Sequence, residues 1–577
     1  MPYTAPLKDI RFCLEHVAET NVLSETPLFA EATSETVDAV LTEMGKLATE
    51  TLGPLQRPGD EGSKLEGDVV KTPTGFKEGY EALAEGGWMG LAASAEHGGM
   101  GLPLTVQTAV NEMQASACLS LSLCPLMSQG SIEAFESHAS PELVEKYLPK
   151  MISGEWNGTM NLTESQAGSD VGALKTKAEP EGDAYRITGQ KIYISWGDHD
   201  MTDNIVHLVL ARLPDAPSGS KGISLFVVPK FLDDGSTNGV KTVSLEHKMG
   251  LNGSPTCVLA YEGSKGWLVG EENKGLACMF TMMNNARLGV GVQGLGVAEA
   301  AAQHALAYVT DRVQGRAAMP ADVSPSGTIV DHPDVRRMAM EMKARTEAVR
   351  AICYDTAKAL DMARAAPEGE REQWARRGAF LTPLAKAYGT DTGMKVAELG
   401  VQAHGGMGFI EETGAAQFYR DVRITAIYEG TNGIQAADLV GRKLSMDGGE
   451  TARAILDEAE AEINTGKTPM TGNLAAVHEA AEEVTQWMLA QNDMSERLAG
   501  SNAYLMVMST LHASTLLHRG LRAAEAHMAE DPDFYQAKVA IAAYYLAHIA
   551  PEAMGYAMSA KLGSTLHYAL TPEQLAS

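Results

Sequence analysis

The 577-residue chain is poor in cysteine, in aromatic residues and in positive charge. Its six cysteines, at 13, 118, 124, 257, 278 and 353, include no pair at CxxC spacing. That argues against a disulfide framework and a zinc site, and it points to a reducing, cytoplasmic setting. Acidic residues outnumber basic ones 74 to 46, for a formal charge of -28. Such a surface repels phosphate, so general affinity for nucleic acid or an anionic membrane is not expected. No apolar run reaches the roughly 18 residues that span a bilayer. The opening Met1-Pro2-Tyr3, followed by Asp9 and Glu15, lacks a basic segment leading into an apolar one, so no secretory signal is expected. With 45% hydrophobic and 21% charged residues the composition is that of a globular protein. At about 100–200 residues per domain, the length implies two to four domains.

Residues 1–33 form a loosely patterned lead-in. A helix is predicted from Thr33 or Ser34 to about Glu50, with Val37, Val40, Leu41, Met44 and Leu47 on one stripe. Residues 56–75, rich in Pro, Gly and charge, read as loop. Helical patterns resume at 76–86, 106–118 and 131–135, and again ahead of Tyr147. The texture changes near Asn157. Short β-rich segments at 185–188, 205–211, 223–228, 241–245 and 256–261, separated by turn-rich pieces, predict a mostly antiparallel β domain. Long helical patterns follow at 276–312, 333–362, 372–402 and 432–444, with a loop at 315–332. Further helices are predicted at 449–464, 474–491, 501–528 and 534–550. The fold class is therefore α+β. The division is a lead-in at 1–35, a helical domain at 36–156, a β domain at 157–275, a helical bundle at 276–445 and an additional helical domain at 446–577.

Three clusters carry candidate chemistry. Asn161-Leu162-Thr163-Glu164-Ser165-Gln166-Ala167-Gly168-Ser169-Asp170 packs backbone amides and small hydroxyls together, which suits an anionic or polyhydroxy group; it also reads as a simple polar turn. Gln402-Ala403-His404-Gly405-Gly406-Met407-Gly408-Phe409 lets backbone approach a ligand, but follows a helix and not a strand, so it is no dinucleotide fingerprint; a tight turn is the plain alternative. His404 has no evident acid–base partner and reads as structural. In Ile427-Tyr428-Glu429-Gly430-Thr431-Asn432, burial in an apolar, aromatic setting would raise the Glu429 carboxyl toward the range of a useful base. The competing reading is a carboxylate that caps the next helix.

The three clusters, in this order and separation, resemble the acyl-CoA dehydrogenase family. The resemblance runs over about residues 35–445. It includes Glu96-His97-Gly98-Gly99-Met100-Gly101-Leu102, Lys248-Met249-Gly250, the Gly270–Gly275 turn, Arg312-Val313-Gln314-Gly315 and Arg420-Asp421. It implies an acyl-CoA dehydrogenase fold: helical N-terminal domain, middle antiparallel β domain and C-terminal four-helix bundle, here with an extra C-terminal helical domain. It implies FAD as cofactor and Glu429 as the base that takes the substrate α-proton while the β-hydride goes to the flavin. The thioester carbonyl would be polarised by the Glu429 backbone N–H and a ribityl hydroxyl. Thr163, Ser169, Ser195 and Thr431 align with cofactor contacts, and Arg312, Gln402 and Gly406 with residues that reach FAD across a subunit interface. Ser169, Tyr428 and Gly430 align with the substrate side. An acyl-CoA substrate, an electron-transfer flavoprotein as acceptor and a homo-oligomer of at least two chains follow from the same resemblance.

Three departures stand out: Asn161 where the family has Gly, Ala or Cys, Tyr193 in place of a Trp, and Gln417 where Lys or Arg is preferred. The continuation beyond about residue 445, with the lead-in Tyr3, Ala5-Pro6 and Asp9-Ile10-Arg11-Phe12, resembles the family branch that acts on 3-(methylthio)propanoyl-CoA in bacterial dimethylsulfoniopropionate breakdown. That implies a short acyl chain. The alternatives are another short- or medium-chain or aryl acyl-CoA, an acyl-CoA oxidase, and a non-catalytic helical scaffold.

Overall fold

A computed structural model describes residues 3–577; Met1 and Pro2, where the opening was read, lie outside the described residues. The lead-in is more ordered than its pattern suggests. Leu7–Phe12 is helical and continues as a wider turn over Cys13–Val17, burying Ile10, Phe12, Leu14 and Val17. The helix Ser34–Leu47 begins as predicted, with the Thr33 hydroxyl accepting from the Thr36 N–H. The expected loop at 56–75 instead holds a short helix, Gln56–Glu61, and a hairpin of β1 (Lys64–Glu66) and β2 (Val69–Lys71). Three-residue strands are too short to show alternation, and this segment is held by tertiary bonds such as Ser63 Oγ to Gly253 O at 2.8 Å.

Leu104–Ala117 and Leu119–His138 are buried almost all round. The first was expected at 106–118; a helix buried on every side carries no apolar stripe, so only the fragment 131–135 of the second was legible in the sequence. The middle domain is one seven-stranded sheet: β3 (Trp156–Asn161), β4 (Lys177–Glu181), β5 (Ala184–Ser195), β6 (Asn204–Ala211), β7 (Ser224–Pro229), β8 (Val240–Leu245) and β9 (Thr256–Val269). The order is β3-β6-β7-β9-β5-β4, with β8 also paired to β9. All pairings are antiparallel except β3 with β6, so the expected antiparallel domain is mixed at one edge. That edge is where the sheet meets the helices: Asn157 Nδ2 donates to Cys124 O at 3.2 Å and to Ser128 Oγ at 2.7 Å.

Three long helices, Gly275–Asp311, Pro333–Ala365 and Glu368–Ala403, form the body of the bundle. The first and third touch backbone to backbone. A Cβ on Gly294 would lie 2.3 Å from Gly389 O, and one on Gly291 would lie 2.6 Å from Ala385 O. Only glycine permits that approach. The C-terminal helices share one apolar core with this bundle. Polar bonds add to it: Tyr388 OH to Tyr545 OH at 2.6 Å, His512 Nε2 to Asp355 Oδ2 at 3.0 Å and Arg377 to Glu458 at 2.9 Å. The region beyond 446 is thus an integral layer of the fold.

Candidate active site

The motif Tyr428-Glu429-Gly430-Thr431 is a turn with two consecutive left-handed residues, Glu429 at φ 55° and Gly430 at φ 81°. Glycine takes that conformation freely; a glutamate does so only when its surroundings impose it. The helix Asn432–Asp438 that follows is capped by Thr431, whose hydroxyl accepts from the Ile434 N–H at 3.2 Å. Glu429 is therefore not the cap, and its carboxylate is left for another task. Gln435 Nε2 donates to Gly430 O at 3.1 Å from within the turn. The Tyr428 hydroxyl donates to Gln293 Oε1 on the helix Gly275–Asp311.

The Glu429 side chain is half-buried, and no described group donates a hydrogen bond to it. Burial pushes its carboxyl up to about 7, against the pull of two cations, Arg287 and Lys386. Both cations are themselves buried. Neither is marked in the sequence, because each gains its meaning only when two long helices bring it to the turn.

On the middle domain, Thr163 O accepts from the Ile192 N–H at 2.9 Å, which fastens the first cluster to β5. Fully buried Lys191 donates to Leu162 O and to Glu164 Oε1, both at 2.9 Å. Glu164 also accepts from Thr176 Oγ1 at 2.6 Å, from the Lys175 N–H at 2.7 Å and from Gln166 Nε2 at 2.6 Å. Burial opposes ionisation, but Lys191 and these donors outweigh it and hold the Glu164 carboxyl at about 2. Lys191 has fewer partners and is more deeply buried, so burial wins there and brings it down to about 8. At neutral pH both remain charged.

Between Lys191 and Ile194 the β5–β9 register shifts, and Tyr193, at φ 60°, swings out to 60% exposure. The residue that replaces the family's Trp thus presents its ring on the surface beside Thr163 and Ser195. Ser169 and Gly168 are exposed, and a Cβ on Gly168 would meet nothing within 4 Å.

Arg312, Gln402 and Gly406 lie together at the far end of the bundle, near the stacked rings of His404 and Tyr308 (centroids 4.4 Å apart). All three are exposed, as is Phe409 at 86%. His404 is structural, as read: its Nδ1 bonds Gly400 O at 2.7 Å. A Cβ on Gly405 or Gly406 would meet nothing within 4 Å; Gly405 is accounted for by its left-handed φ of 60°, whereas nothing within the chain requires glycine at 406. Arg287 Nη2 lies 3.9 Å from where a Gly430 Cβ would be. Gln293, bonded by the Tyr428 hydroxyl, lies about 18 helical residues before Asp311, roughly 27 Å at about 1.5 Å per residue. Within one chain this end does not meet the Glu429 turn.

The other departures are compensated internally. Asn161 is buried, accepting from Tyr261 OH at 2.9 Å and donating to Thr159 Oγ1 at 2.9 Å. Gln417 donates to Gln56 O at 2.6 Å and accepts from Arg57 at 3.0 Å, so a neighbouring arginine brings the missing cation. Arg420 and Asp421 tie segments together: Arg420 Nη2 to Asp60 at 2.6 Å and the Leu251 N–H to Asp421 at 2.7 Å.

The donor set suits FAD. Hydroxyls, a helix N-terminus at Thr431, an exposed guanidinium, an amide, bare glycine backbone and an outward aromatic ring can hold a flavin and its pyrophosphate.

Sequence models of known families match in succession: acyl-CoA dehydrogenase N-terminal domain at 36–155, middle domain at 159–264 and C-terminal domain at 273–444, then an acetyl-CoA dehydrogenase C-terminal-like domain at 451–571. The chain is 46% identical over 561 residues to 3-methylmercaptopropionyl-CoA dehydrogenase of Ruegeria pomeroyi, covering 94% of this chain and 95% of that one. A Bacillus anthracis acyl-CoA dehydrogenase complexed with FAD shares the fold, with a TM-score of 0.75 at 22% identity over 93% of this chain and 90% of that one. A structure described as the electron transferring flavoprotein of Acidaminococcus fermentans contains a chain matched at a TM-score of 0.60 and 25% identity, over 72% of this chain and 99% of that one. The chain belongs to the acyl-CoA dehydrogenase family, and is an FAD-dependent oxidoreductase that dehydrogenates an acyl-CoA.

Proposed function

We propose that Glu429 is the base that takes the α-proton of a short acyl-CoA, 3-(methylthio)propanoyl-CoA in the first place. The observation that carries this reading is its carboxylate: half-buried, without a hydrogen-bond donor among the described residues, and brought to about 7, where it ionises at physiological pH yet remains a competent proton acceptor. When bound, FAD supplies the two-electron acceptor for the hydride that leaves the β-carbon. The chain's own work is to orient, exclude water and hold the proton on a Glu429 carboxylate oxygen. Tyr428, Gly430 and Ser169 face the substrate in this reading. Glu429→Gln is isosteric and should retain FAD, while anaerobic flavin bleaching by substrate falls by about 10²–10⁴-fold. Bleaching at the wild-type rate would remove Glu429 from the role.

Thr163, Ser169, Ser195 and Thr431 are assigned to FAD on one chain, and Arg312, Gln402 and Gly406 to the same FAD from a second copy. The family resemblance gives this second set to a partner chain, and it lies roughly 27 Å along one helix from Gln293, where the Glu429 turn is bonded. The active unit is accordingly a homodimer or a larger assembly. An electron-transfer flavoprotein is the proposed acceptor, and the cytoplasm the proposed location, supported by six cysteines that are all buried, unpaired thiols.

The substrate assignment follows the printed activity of the Ruegeria relative. A thioether sulfur is close to a methylene in size, and one methylene is worth only about 1–3 kcal/mol of selectivity. Butanoyl- and hexanoyl-CoA should therefore be turned over as well. A comparison of kcat/KM for 3-(methylthio)propanoyl-, butanoyl-, octanoyl- and 3-phenylpropanoyl-CoA with an artificial acceptor tests this; an optimum at octanoyl or aryl substrate would overturn it.

A further inference from the structure

The Glu429 turn is held from outside the motif. Asn432, three residues on, is buried, and its side-chain amide is saturated by the helix Glu368–Ala403. Its Oδ1 accepts from Lys386 Nζ at 2.8 Å, and its Nδ2 donates to Asp391 Oδ1 at 2.7 Å and to Thr390 Oγ1 at 3.0 Å. Ala387 O lies at 3.3 Å from the same nitrogen. Four partners on two successive turns of one helix fix both the position and the rotation of this amide. Thr431, one residue earlier, is fixed as the cap of the next helix. The chain therefore enters Asn432 with no freedom, and the two left-handed residues before it absorb the constraint.

Lys386 is unusual in its own right. Its ammonium is fully buried, and its only hydrogen-bond acceptor among the described residues is the neutral Asn432 amide, with no carboxylate within ion-pair distance. A buried ammonium is costly unless compensated. The carboxylates that face it are Asp391, on its own helix, and Glu429. Its helix touches Gly275–Asp311, the carrier of Arg287, at glycine backbone. The two cations that face Glu429 are thus mounted on a rigid frame.

We infer that Asn432 and Lys386 are positioning residues for the base: Asn432 locks the left-handed turn that aims the Glu429 carboxylate, and Lys386 both orients that amide and holds a positive charge behind the carboxylate. The inference rests on the reading of Glu429 as base. The charged groups around the turn are few. Arg287 and Lys386 face Glu429 directly, Asp438, Arg442 and Lys443 face Arg287, and Asp391 and Arg423 lie beyond Lys386. Removing Lys386 leaves Arg287, itself shared with Asp438, as the one cation opposing burial. The carboxylate then holds its proton more tightly, so base activity shifts to higher pH.

The test is anaerobic flavin reduction by butanoyl-CoA in FAD-loaded enzyme, followed against pH, for Lys386→Met, Lys386→Arg and Asn432→Ala. For Lys386→Met the midpoint of the rising limb of kcat/KM should move up by about one pH unit or more. The plateau at high pH should fall as well, but by less than in Asn432→Ala, since Ala387, Thr390 and Asp391 still hold the amide. Lys386→Arg, which keeps the charge, should restore the wild-type midpoint. Asn432→Ala should lower the limiting rate about a hundredfold at every pH, as expected for a misplaced reacting group, with FAD content and KM nearly unchanged. An unshifted midpoint in Lys386→Met, or a wild-type limiting rate in Asn432→Ala, overturns the inference. If Lys386→Met does not fold, Lys386→Gln, which keeps a donor for Asn432 without the charge, carries the same midpoint test. Failure of the Glu429 assignment itself is separate: it would show as normal bleaching in Glu429→Gln.

Discussion

Two glutamates in this molecule sit in similar company and end in opposite states. Glu164 and Glu429 each lie on a tight turn, each face a fully buried lysine, and each are read as part of the flavin-binding region. Glu164 accepts from the backbone at Lys175 and from the Thr176, Gln166 and Lys191 side chains, and is held at about 2. Glu429 accepts from no described group and is raised to about 7. The lysine alone does not decide the outcome. Donors in direct contact with the carboxylate do, because they stabilise the charged form at the distance where desolvation is felt. One carboxylate is a structural bolt; the other, the proposed base, accepts from no described group.

The comparison breaks most visibly at the level of stability. Lys191→Met removes one member of a buried pair and leaves Glu164 charged and under-compensated, so it should destabilise the fold by about 3–5 kcal/mol in a denaturant titration. Glu429→Gln should cost almost nothing at neutral pH. The pH dependence differs in sign as well. Glu164 is depressed, so its contribution is fully present above its ordinary value near 4.5 and is lost as pH falls toward 2. Glu429 is raised, so the fold is penalised as pH climbs from about 4.5 through about 7. Apo Glu429→Gln should therefore be more stable than wild type above pH 7, by about 1 kcal/mol given its partial exposure, and equal to it near pH 4. Thermal melts at both pH values check this. Next in size, Arg312→Ala should weaken FAD by about 10- to 100-fold, the loss of one charge-assisted contact, without altering the fold of the chain. FAD retention on gel filtration reads that directly. The smallest effect is expected from Tyr193→Trp: an exposed ring exchanged for a larger one should leave FAD affinity and turnover within about threefold, measured by FAD titration and steady-state rate.

The same contrast shows what could be read from the chain. The order of helix, sheet, bundle and extension was legible because composition and periodicity change at each junction. Glu429 was singled out as the candidate base through the residues around it. The helix Leu119–His138 was seen only in part, since burial on all sides erases the stripe. The edge strands β3 and β4 escaped because one, Trp-Asn-Gly-Thr-Met-Asn, is mostly polar or glycine and the other carries Glu-Pro-Glu. The environment of Glu429 was out of reach for another reason. Arg287 and Lys386 lie 142 and 43 residues away in sequence, and nothing local marks either as facing the turn. Asn161 and Gln417 looked like defects in a motif; Tyr261 and Arg57, which accommodate them, are distant in sequence.

The most direct test is the pH dependence of flavin reduction itself. Wild-type enzyme, mixed anaerobically with 3-(methylthio)propanoyl-CoA at low concentration, should give a kcat/KM that rises with pH through a midpoint near 7 and then levels. Glu429→Gln should show a flat profile at a rate lower by at least about a hundredfold. A wild-type midpoint near 4.5, or the same rising limb in Glu429→Gln, would contradict the account.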